Sequence, residues 1–279
     1  MLTQLRNKRL AGGERRWRII VLCGLLAIVL FILIFERRYI FPAPDETWQA
    51  MQQRRTWRVG TDPSFPPFEQ LDANGQPVGY DIDLARQLAA TWGLQVQVVA
   101  LGFDSLLDAL QTGQVDSVMS ALPYDERLTQ NVTYSAPYFE AGIRLVVRKN
   151  SPIQTAAQLT NRKIAVELGS TGDMVGRRLQ RATPTLQLVQ FPTPDEAVAA
   201  LEQDQAIDAL LIDQVTLRTA QGKGATLVAI GDVMESNPYV IAMPHKASIL
   251  QAQVEQTLQS FQTNGVLKQL ETKWFHPIK

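Results

Sequence analysis

Arg127 lies just beyond the end of a predicted buried strand, where it could bind a carboxylate. The run before it, VDSVMSAL from Val115 to Leu122, mixes apolar and small residues, as a strand covered on both faces does. In an open α/β sheet, ligands bind at the carboxyl ends of strands, and a guanidinium there can form two hydrogen bonds to a carboxylate. Asp125 offers Arg127 a surface ion pair instead, and this segment leaves both interpretations open.

Asp213 supplies a negative charge at the end of a second apolar strand, ALLID. It is either the N-cap of a helix that begins at Gln214 or the partner of a ligand ammonium group. The stretch from Gly169 to Gly172 opens another helix, whose N–H groups and dipole suit a carboxylate or a phosphate. An ordinary Ser/Thr cap produces the same pattern. No lysine follows Gly172, so this is not a Walker nucleotide-binding loop.

Aromatic side chains occupy two predicted loops beside these strand ends. Phe65 and Phe68 lie in a proline-rich loop, and Phe103 comes directly before a predicted helix. Such side chains either pack locally or form the two faces of a sandwich around a flat or aliphatic ligand.

Alternating strands and helices from Thr56 onward predict an α/β architecture that would position these residues. One helix–turn–strand unit is repeated, since ALQTGQVD at 109–116 resembles ALEQDQAID at 200–208. The similarity is due either to chance or to two lobes of like design, each presenting a strand end to a shared cleft.

The composition excludes several classes of function. The 279 residues are 46% hydrophobic, which is enough for a real core, and 27 basic residues balance 27 acidic ones, which argues against bulk nucleic-acid binding. A single cysteine, Cys23, allows no internal disulfide, and two histidines make a His-rich metal site unexpected. We expect neither a metal nor a cofactor.

The N-terminal region predicts a membrane anchor. Residues 1–18 are a basic stub, and residues 19–35 form an unbroken apolar run near the lower limit for spanning a bilayer, about 17 residues. Cys23 lies inside this run, which excludes a lipoprotein signal, although Ala43 could still permit cleavage. The basic stub places the N-terminus in the cytoplasm and the rest of the chain outside. Residues 36–55 are then predicted to form a stalk.

Several motifs in order resemble a known family. They are GTDPSFPPFE, GYDIDLA, SALPYDER followed by YSAPYF, VELGSTGD, LLID and the closing NGVLKQLETKWF. From roughly Arg58 to Phe275, the chain is similar to the extracytoplasmic solute-binding proteins of polar amino-acid ABC transporters, the family 3 solute-binding proteins. The order and spacing of these motifs together are more specific than any one motif.

The resemblance implies an α/β two-lobed periplasmic-binding-protein fold of type II, with two crossovers between the lobes and one N-terminal transmembrane helix ahead of it. Lobe one would comprise residues 56–141 and 237–279, and lobe two residues 142–236. The protein would be a single-pass protein of the cytoplasmic membrane with its binding domain on the extracytoplasmic side. It would capture a free L-amino acid by hinge closure and deliver it to the permease subunits of an ABC importer.

The resemblance also implies roles for individual residues. Arg127 would bind the α-carboxylate, helped by Ser120 and by backbone N–H groups around Leu122 and Thr171. Leu122 departs from the family, in which a Ser or Thr hydroxyl is common at this position. The resemblance therefore implies a backbone contact at Leu122 and supports no side-chain contact there. Asp213 would bind the α-ammonium group, and the opposite charges would meet the zwitterion when the lobes close.

The side chain of the amino acid would lie between Phe65 and Phe103. Two further carboxylates, Asp62 and Glu167, could face it, although Asp62 could instead hold its own loop in an Asx turn and Glu167 could be a solvated rim residue. If either faces the ligand, arginine, lysine or glutamine should bind better than glutamate or aspartate.

Two other functions compete with solute capture. The same fold is used by dehydratases acting on cyclic carboxylates, which require a general acid, and Glu167 is the plausible candidate. A sensor domain would need a signalling partner, because the cytoplasmic stub is too short for a kinase. We expect a binding protein rather than an enzyme.

Overall fold

The computed structural model of the protein describes residues 45–275. The predicted basic stub at 1–18, the apolar run at 19–35 and the first part of the stalk lie outside these residues. Within residues 45–275, no helix combines the length and the apolarity that crossing a membrane requires.

The last part of the predicted stalk is a folded helix, α1 (Glu46–Arg54). Met51 is fully buried in the core of the first lobe, with Trp48 packed against the same cluster. Arg54 forms an ion pair with the buried carboxylate of Asp116 at 2.7 Å. The prediction of a stalk up to residue 55 is therefore wrong for residues 46–54. Trp48 and Met51, three residues apart, lie on one face of the helix, and this apolar face packs on lobe one.

One set of elements builds the first half of the fold and part of its end. In chain order they are β1 (Thr56–Thr61), β2 (Ser64–Phe65), β3 (Glu69–Leu71), β4 (Pro77–Val78), α2 (Tyr80–Thr91), β5 (Gln95–Ala100), a 3₁₀ turn (Phe103–Ser105), α3 (Leu106–Gln111), β6 (Ser117–Val118), a second 3₁₀ turn (Glu126–Leu128), β7 (Val132–Tyr134) and β8 (Phe139–Glu140).

The chain then continues through a second set of elements. They are β9 (Ile143–Arg148), a 3₁₀ turn (Ala156–Gln158), β10 (Lys163–Glu167), α4 (Thr171–Ala182), β11 (Gln187–Phe191), α5 (Pro194–Gln203), β12 (Ala209–Asp213), α6 (Gln214–Gly222), β13 (Leu227–Glu235), β14 (Pro238–Tyr239), β15 (Ala242–Pro244), α7 (Ser248–Asn264) and α8 (Val266–Phe275).

Two five-stranded sheets of the same design define two lobes. The sheet of lobe one has the order β5-β1-β6-β15-β7, and that of lobe two has the order β11-β10-β12-β9-β13. In each, the first three strands are parallel and the last two are joined through antiparallel pairing. The repeated helix–turn–strand units are α3–β6 and α5–β12, and they occupy equivalent places. The two-lobe explanation of the repeat therefore holds.

The chain passes between the lobes twice, through a small antiparallel pair formed by β8 and β14. Glu140 joins the two crossovers: its Oε1 accepts hydrogen bonds from the N–H groups of Gly142 (2.7 Å) and Asn237 (2.8 Å), and its Oε2 accepts one from the Ser236 hydroxyl (2.7 Å). We call this arrangement the hinge clamp. It is suited to a hinge because it ties together two segments that would bend together.

Helix α6 belongs to the chain of lobe two but also contacts lobe one. Val215 packs against the core of lobe one, and Arg218 forms an ion pair with Glu271 of α8 at 3.1 Å. The lobes therefore meet through these contacts as well as through the hinge strands.

Candidate ligand-binding site

The rim of lobe one is organised by Asp62, which directly follows β1. Its N–H donates to the hydroxyl of Ser120 at 2.9 Å, and its Oδ2 accepts a hydrogen bond from the N–H of Phe103 at 3.0 Å. The carboxylate of Asp62 therefore holds the neighbouring Phe103 loop and not its own loop, as an Asx turn would. The Phe103 side chain is 46% exposed, so an aromatic face is presented on a fixed loop.

The predicted strand from Val115 to Leu122 is much shorter than expected. Only Ser117–Val118 forms a strand, and Ala121 turns the chain with a φ of 42°. Ser120 and Leu122 are both buried in this turn, and the Leu122 carbonyl accepts a hydrogen bond from the N–H of Val240 at 2.9 Å. The turn is thus attached to the segment that follows hinge strand β14.

Phe65 and Asp213 line one cavity of about 390 Å³. Phe65, from lobe one, is 43% exposed and stacks on Phe68 with ring centroids 5.9 Å apart. The cavity is also lined by Tyr239 of β14 and by Asn237, so it lies beside the hinge. Its volume is in the range of small-molecule sites.

Asp213 caps α6, as one of the two sequence interpretations proposed. Its Oδ1 accepts the N–H of Thr216 at 2.9 Å, and its Oδ2 accepts the Thr216 hydroxyl at 2.7 Å. These bonds fix the carboxylate in one orientation, and each oxygen retains acceptor capacity for an ammonium group. Capping and ligand binding are compatible roles for this residue.

Glu167 and the N-terminus of α4 lie beside the strand that carries Asp213. Val166 is paired with Leu211 in parallel register, so the carboxyl ends of β10 and β12 are neighbours. Ser170 caps α4 by accepting the N–H of Asp173 at 3.1 Å. Within residues 45–275, the N–H groups of Thr171 and Gly172 have no hydrogen-bond partner. Two N–H groups at the end of a 12-residue helix can bind a carboxylate.

Arg127 forms the surface ion pair with Asp125 that the sequence offered as an alternative. Its Nε donates to Oδ1 at 2.9 Å and its Nη2 to Oδ2 at 2.6 Å, while its side chain is 88% exposed. The hydrogen bonds from Arg127 lower the pKa of Asp125. Arg127 does not line the cavity that contains Phe65 and Asp213. The guanidinium is nevertheless on an exposed side chain, where a ligand could reach it.

Tyr239 and Asn237 are site residues that no sequence motif indicates. β14 belongs to the hinge pair, and its residue Tyr239 lines the cavity. Burial, followed by the charge of Asp213, raises the pKa of its phenol. Only the pairing of strands distant in sequence brings Tyr239 and Asp213 together, and no local signal encodes it.

A family model described as bacterial extracellular solute-binding proteins, family 3, matches residues 57–277. The protein belongs to this family. The resemblance found in the sequence motifs is therefore confirmed, and the match begins at the second residue of β1 and extends through both lobes.

Relatives of this family 3 protein include the histidine-binding periplasmic protein of Salmonella typhimurium. It is 35% identical over 159 residues, which are 57% of this chain and 60% of the relative's own length. The chain therefore spans less than two thirds of that protein. The relative is named as a binding protein, which agrees with the expectation of a binding protein rather than an enzyme.

Two solved structures establish the two-lobed α/β fold. An ancestral cationic amino acid solute-binding protein superposes with a TM-score of 0.64 and 31% identity, covering 82% of this chain and 100% of that one. A polar amino acid ABC uptake transporter substrate-binding protein from Streptococcus thermophilus has a TM-score of 0.74 at 22% identity, covering 84% and 91%. At that identity the second likeness supports the fold alone.

Proposed function

We propose that this protein is a membrane-anchored extracytoplasmic receptor that captures a free L-amino acid between its lobes. The observation that carries the proposal is the cavity shared by Phe65 of lobe one and Asp213 of lobe two, beside the hinge. Delivery to the permease subunits of an ABC importer is supported by the motif resemblance to binding proteins of such transporters.

Lobe two offers a partner for each charge of a zwitterion. Asp213 is oriented to receive the α-ammonium group, and the N–H groups of Thr171 and Gly172, at the adjacent strand end, can receive the α-carboxylate. Arg127, together with the Ser120–Leu122 turn of lobe one, supplies the second half of the carboxylate site when the lobes close. Phe65 and Phe103 then enclose the side chain.

The cavity favours a cationic or neutral side chain. Its lining includes two carboxylates, Asp195 and Asp213, and no Lys or Arg among the described residues. Asp213 is balanced by the ligand's own ammonium group, and Asp195 is only loosely paired, since its Oδ2 lies 3.8 Å from Nζ of Lys223 on an exposed side chain. Asp62 and Glu167 add negative charge at the rims. An acidic side chain would therefore meet like charge, which costs binding free energy.

The fragment from Asp45 to Lys279, which retains α1, is expected to bind arginine, lysine or glutamine with a dissociation constant on the order of a micromolar, about 8 kcal/mol. Isothermal titration calorimetry with the common L-amino acids measures this directly. Glutamine and glutamate form a matched pair of nearly equal shape, and we expect glutamine to bind at least about tenfold more tightly because of the negative lining.

Two results would count against this assignment. The absence of binding heat for every amino acid would reject the receptor function itself. Displacement of bound arginine by an equal concentration of glutamate would leave the receptor function intact and reject only the predicted preference.

Membrane anchoring is the third part of the proposal, and it is supported by the apolar run at 19–35 and the basic stub before it. In the native host, the protein is expected in the membrane fraction after a high-salt wash, with an N-terminus that precedes the apolar run. Mass spectrometry of the purified protein determines that N-terminus. A mature chain that begins after Phe35 would show that the run is removed and that the receptor is not anchored by it.

A further inference from the structure

Two buried carboxyl groups lie behind the ligand rim of lobe one. Glu69, in β3, is 1% exposed, and Asp81, in the first turn of α2, is 0% exposed. They bind consecutive residues of the same turn. Glu69 Oε1 accepts the hydroxyl of Ser120 at 3.0 Å, and Asp81 Oδ2 accepts the N–H of Ala121 at 2.6 Å.

One oxygen on each carboxyl group has no conventional donor. Glu69 Oε2 and Asp81 Oδ1 are buried, and within residues 45–275 no N–H or O–H group donates a hydrogen bond to either oxygen. No Lys or Arg of the described chain forms an ion pair with either residue. Two adjacent carboxylates without a cation could not both remain ionised in such a site.

A glycine explains how the two groups come so close. Gly79 precedes Asp81 and has a φ of 145°, and a Cβ there would lie 2.0 Å from the carbonyl oxygen of Phe68 and 2.9 Å from Cα of Glu69. The absence of a side chain lets the start of α2 lie directly against β3. The N–H of Asp81 accordingly donates to the Phe68 carbonyl at 3.0 Å.

We propose that Glu69 and Asp81 hold a single proton between Glu69 Oε2 and Asp81 Oδ1, and that this acid pair positions the Ser120–Leu122 turn of the ligand site. One proton satisfies both orphan oxygens at once, since Glu69 becomes a donor and Asp81 an acceptor. It also leaves Oε1 and Oδ2 free to accept from Ser120 and Ala121, as observed. Both are positioning residues, because neither would touch the ligand.

The groups that face the pair favour retention of the proton. Burial and then the charge of Asp81 raise the pKa of Glu69 to about 11, with a smaller contribution from Asp62. Burial raises the pKa of Asp81 to about 6, against the hydrogen bonds from Ala121 and from the Tyr138 hydroxyl at 2.8 Å. The other titratable neighbours are the phenols of Tyr80 and Tyr239, whose pKa values burial raises, so they stay neutral.

The acid pair connects to four of the predicted ligand contacts of lobe one. The Ser120 hydroxyl that donates to Glu69 also receives the N–H of Asp62, and Asp62 in turn holds Phe103. Phe65 is the strand partner of Glu69. This consequence for ligand binding rests on the proposed function, whereas the shared proton itself does not.

The test uses the full-length chain in mild detergent and infrared spectroscopy at pH 7.5, where an isolated Asp or Glu is ionised. We expect a carboxylic-acid C=O band that shifts in D₂O and disappears in Glu69→Gln. Asp173, which is 3% exposed, is the control: it is paired with Arg177 at 3.0 Å, so Asp173→Asn should leave the band unchanged. The lack of such a band in the unsubstituted chain, or its survival in both Glu69→Gln and Asp81→Asn, would overturn the proposal.

Chemical unfolding supplies a second measurement that needs no ligand. Because the pKa of Glu69 is raised in the folded state, its stabilising contribution is fully present below about pH 4.5 and is lost progressively as the pH rises toward 11. Between pH 6.5 and 8.5, the folding equilibrium constant should fall about tenfold per pH unit relative to Glu69→Gln, whose amide cannot titrate. Equal pH dependence in the two chains would contradict the shared proton.

Ligand affinity tests the positioning role. Glu69→Gln keeps an acceptor for Ser120 and a donor for Asp81, so its dissociation constant for arginine should stay within about threefold of the unsubstituted chain. Glu69→Ala removes both and should weaken binding at least about tenfold. Equal affinities for the Gln and Ala variants would refute positioning. If the unsubstituted chain binds no amino acid, the proposed function fails, while the infrared band still decides the proton.

Discussion

Arg127→Ala is expected to weaken the binding of the preferred amino acid by at least about 30-fold. On closure, the guanidinium would leave its exposed pair with Asp125 and bind the ligand carboxylate in a desolvated cleft. Removing one partner of a buried, hydrogen-bonded charge pair costs roughly 2 to 5 kcal/mol. Calorimetry on the unsubstituted and variant chains measures the difference directly.

Arg86→Ala is the matched control for this experiment. Arg86 is also an exposed arginine of lobe one, and its Nη1 lies 3.3 Å from Oδ1 of a neighbouring aspartate, Asp83. Exposed pairs of this kind contribute little, so its affinity should be unchanged within about twofold. If the two variants bind equally well, Arg127 is only a partner of Asp125 and the carboxylate site of lobe one must be assigned elsewhere.

Gly142→Ala is expected to lower the thermal unfolding midpoint by about 4 to 12 °C, which corresponds to roughly 2 to 3 kcal/mol in a unit of this size. A Cβ at this position would lie 2.2 Å from the carbonyl oxygen of Glu235 and 2.6 Å from Oε1 of Glu140. The first is backbone at the end of β13, directly before the other crossover, so relief requires the two hinge segments to separate. The hinge clamp around Glu140 would be disrupted at the same time.

Gly102→Ala isolates the steric cause, because no heavy atom lies within 4 Å of the Cβ that it would add. Neither glycine has a positive φ, so backbone strain does not distinguish them. We expect the midpoint of Gly102→Ala to change by no more than about 2 °C. If the Gly142→Ala and Gly102→Ala chains have the same thermal unfolding midpoint, the crossovers separate at no cost and the clamp does not hold them.

The alternation of strands and helices and the strand end at Asp213 could be predicted from the amino-acid sequence. β12 and α4 lie where the apolar run ALLID and the stretch from Gly169 to Gly172 predicted them. These features are local, because they depend on side-chain periodicity and on the conformations that a few residues allow. The family also followed from the sequence, since its motifs are short segments in a particular order.

The candidate site depended much more on tertiary structure. Asp213 could be placed at a strand end, but only the folded chain brings it into one cavity with Phe65 and Tyr239, which are far apart in sequence. The choice between an ion pair with Asp125 and an unpaired Arg127 is also a matter of side-chain geometry. Sequence patterns state which residue types are present and cannot state which partner a long side chain selects.

Glu69 and Asp81 show the limit most clearly. Each stands in a motif that identified the family, and neither was singled out, because a carboxylate in a polar-looking segment is normally solvated. The amino-acid sequence by itself determined that two acids and a glycine stand near one another along the chain. Only the tertiary structure decided that both acids are buried against the Ser120–Leu122 turn, because burial and the lack of a cation arise from packing between distant segments.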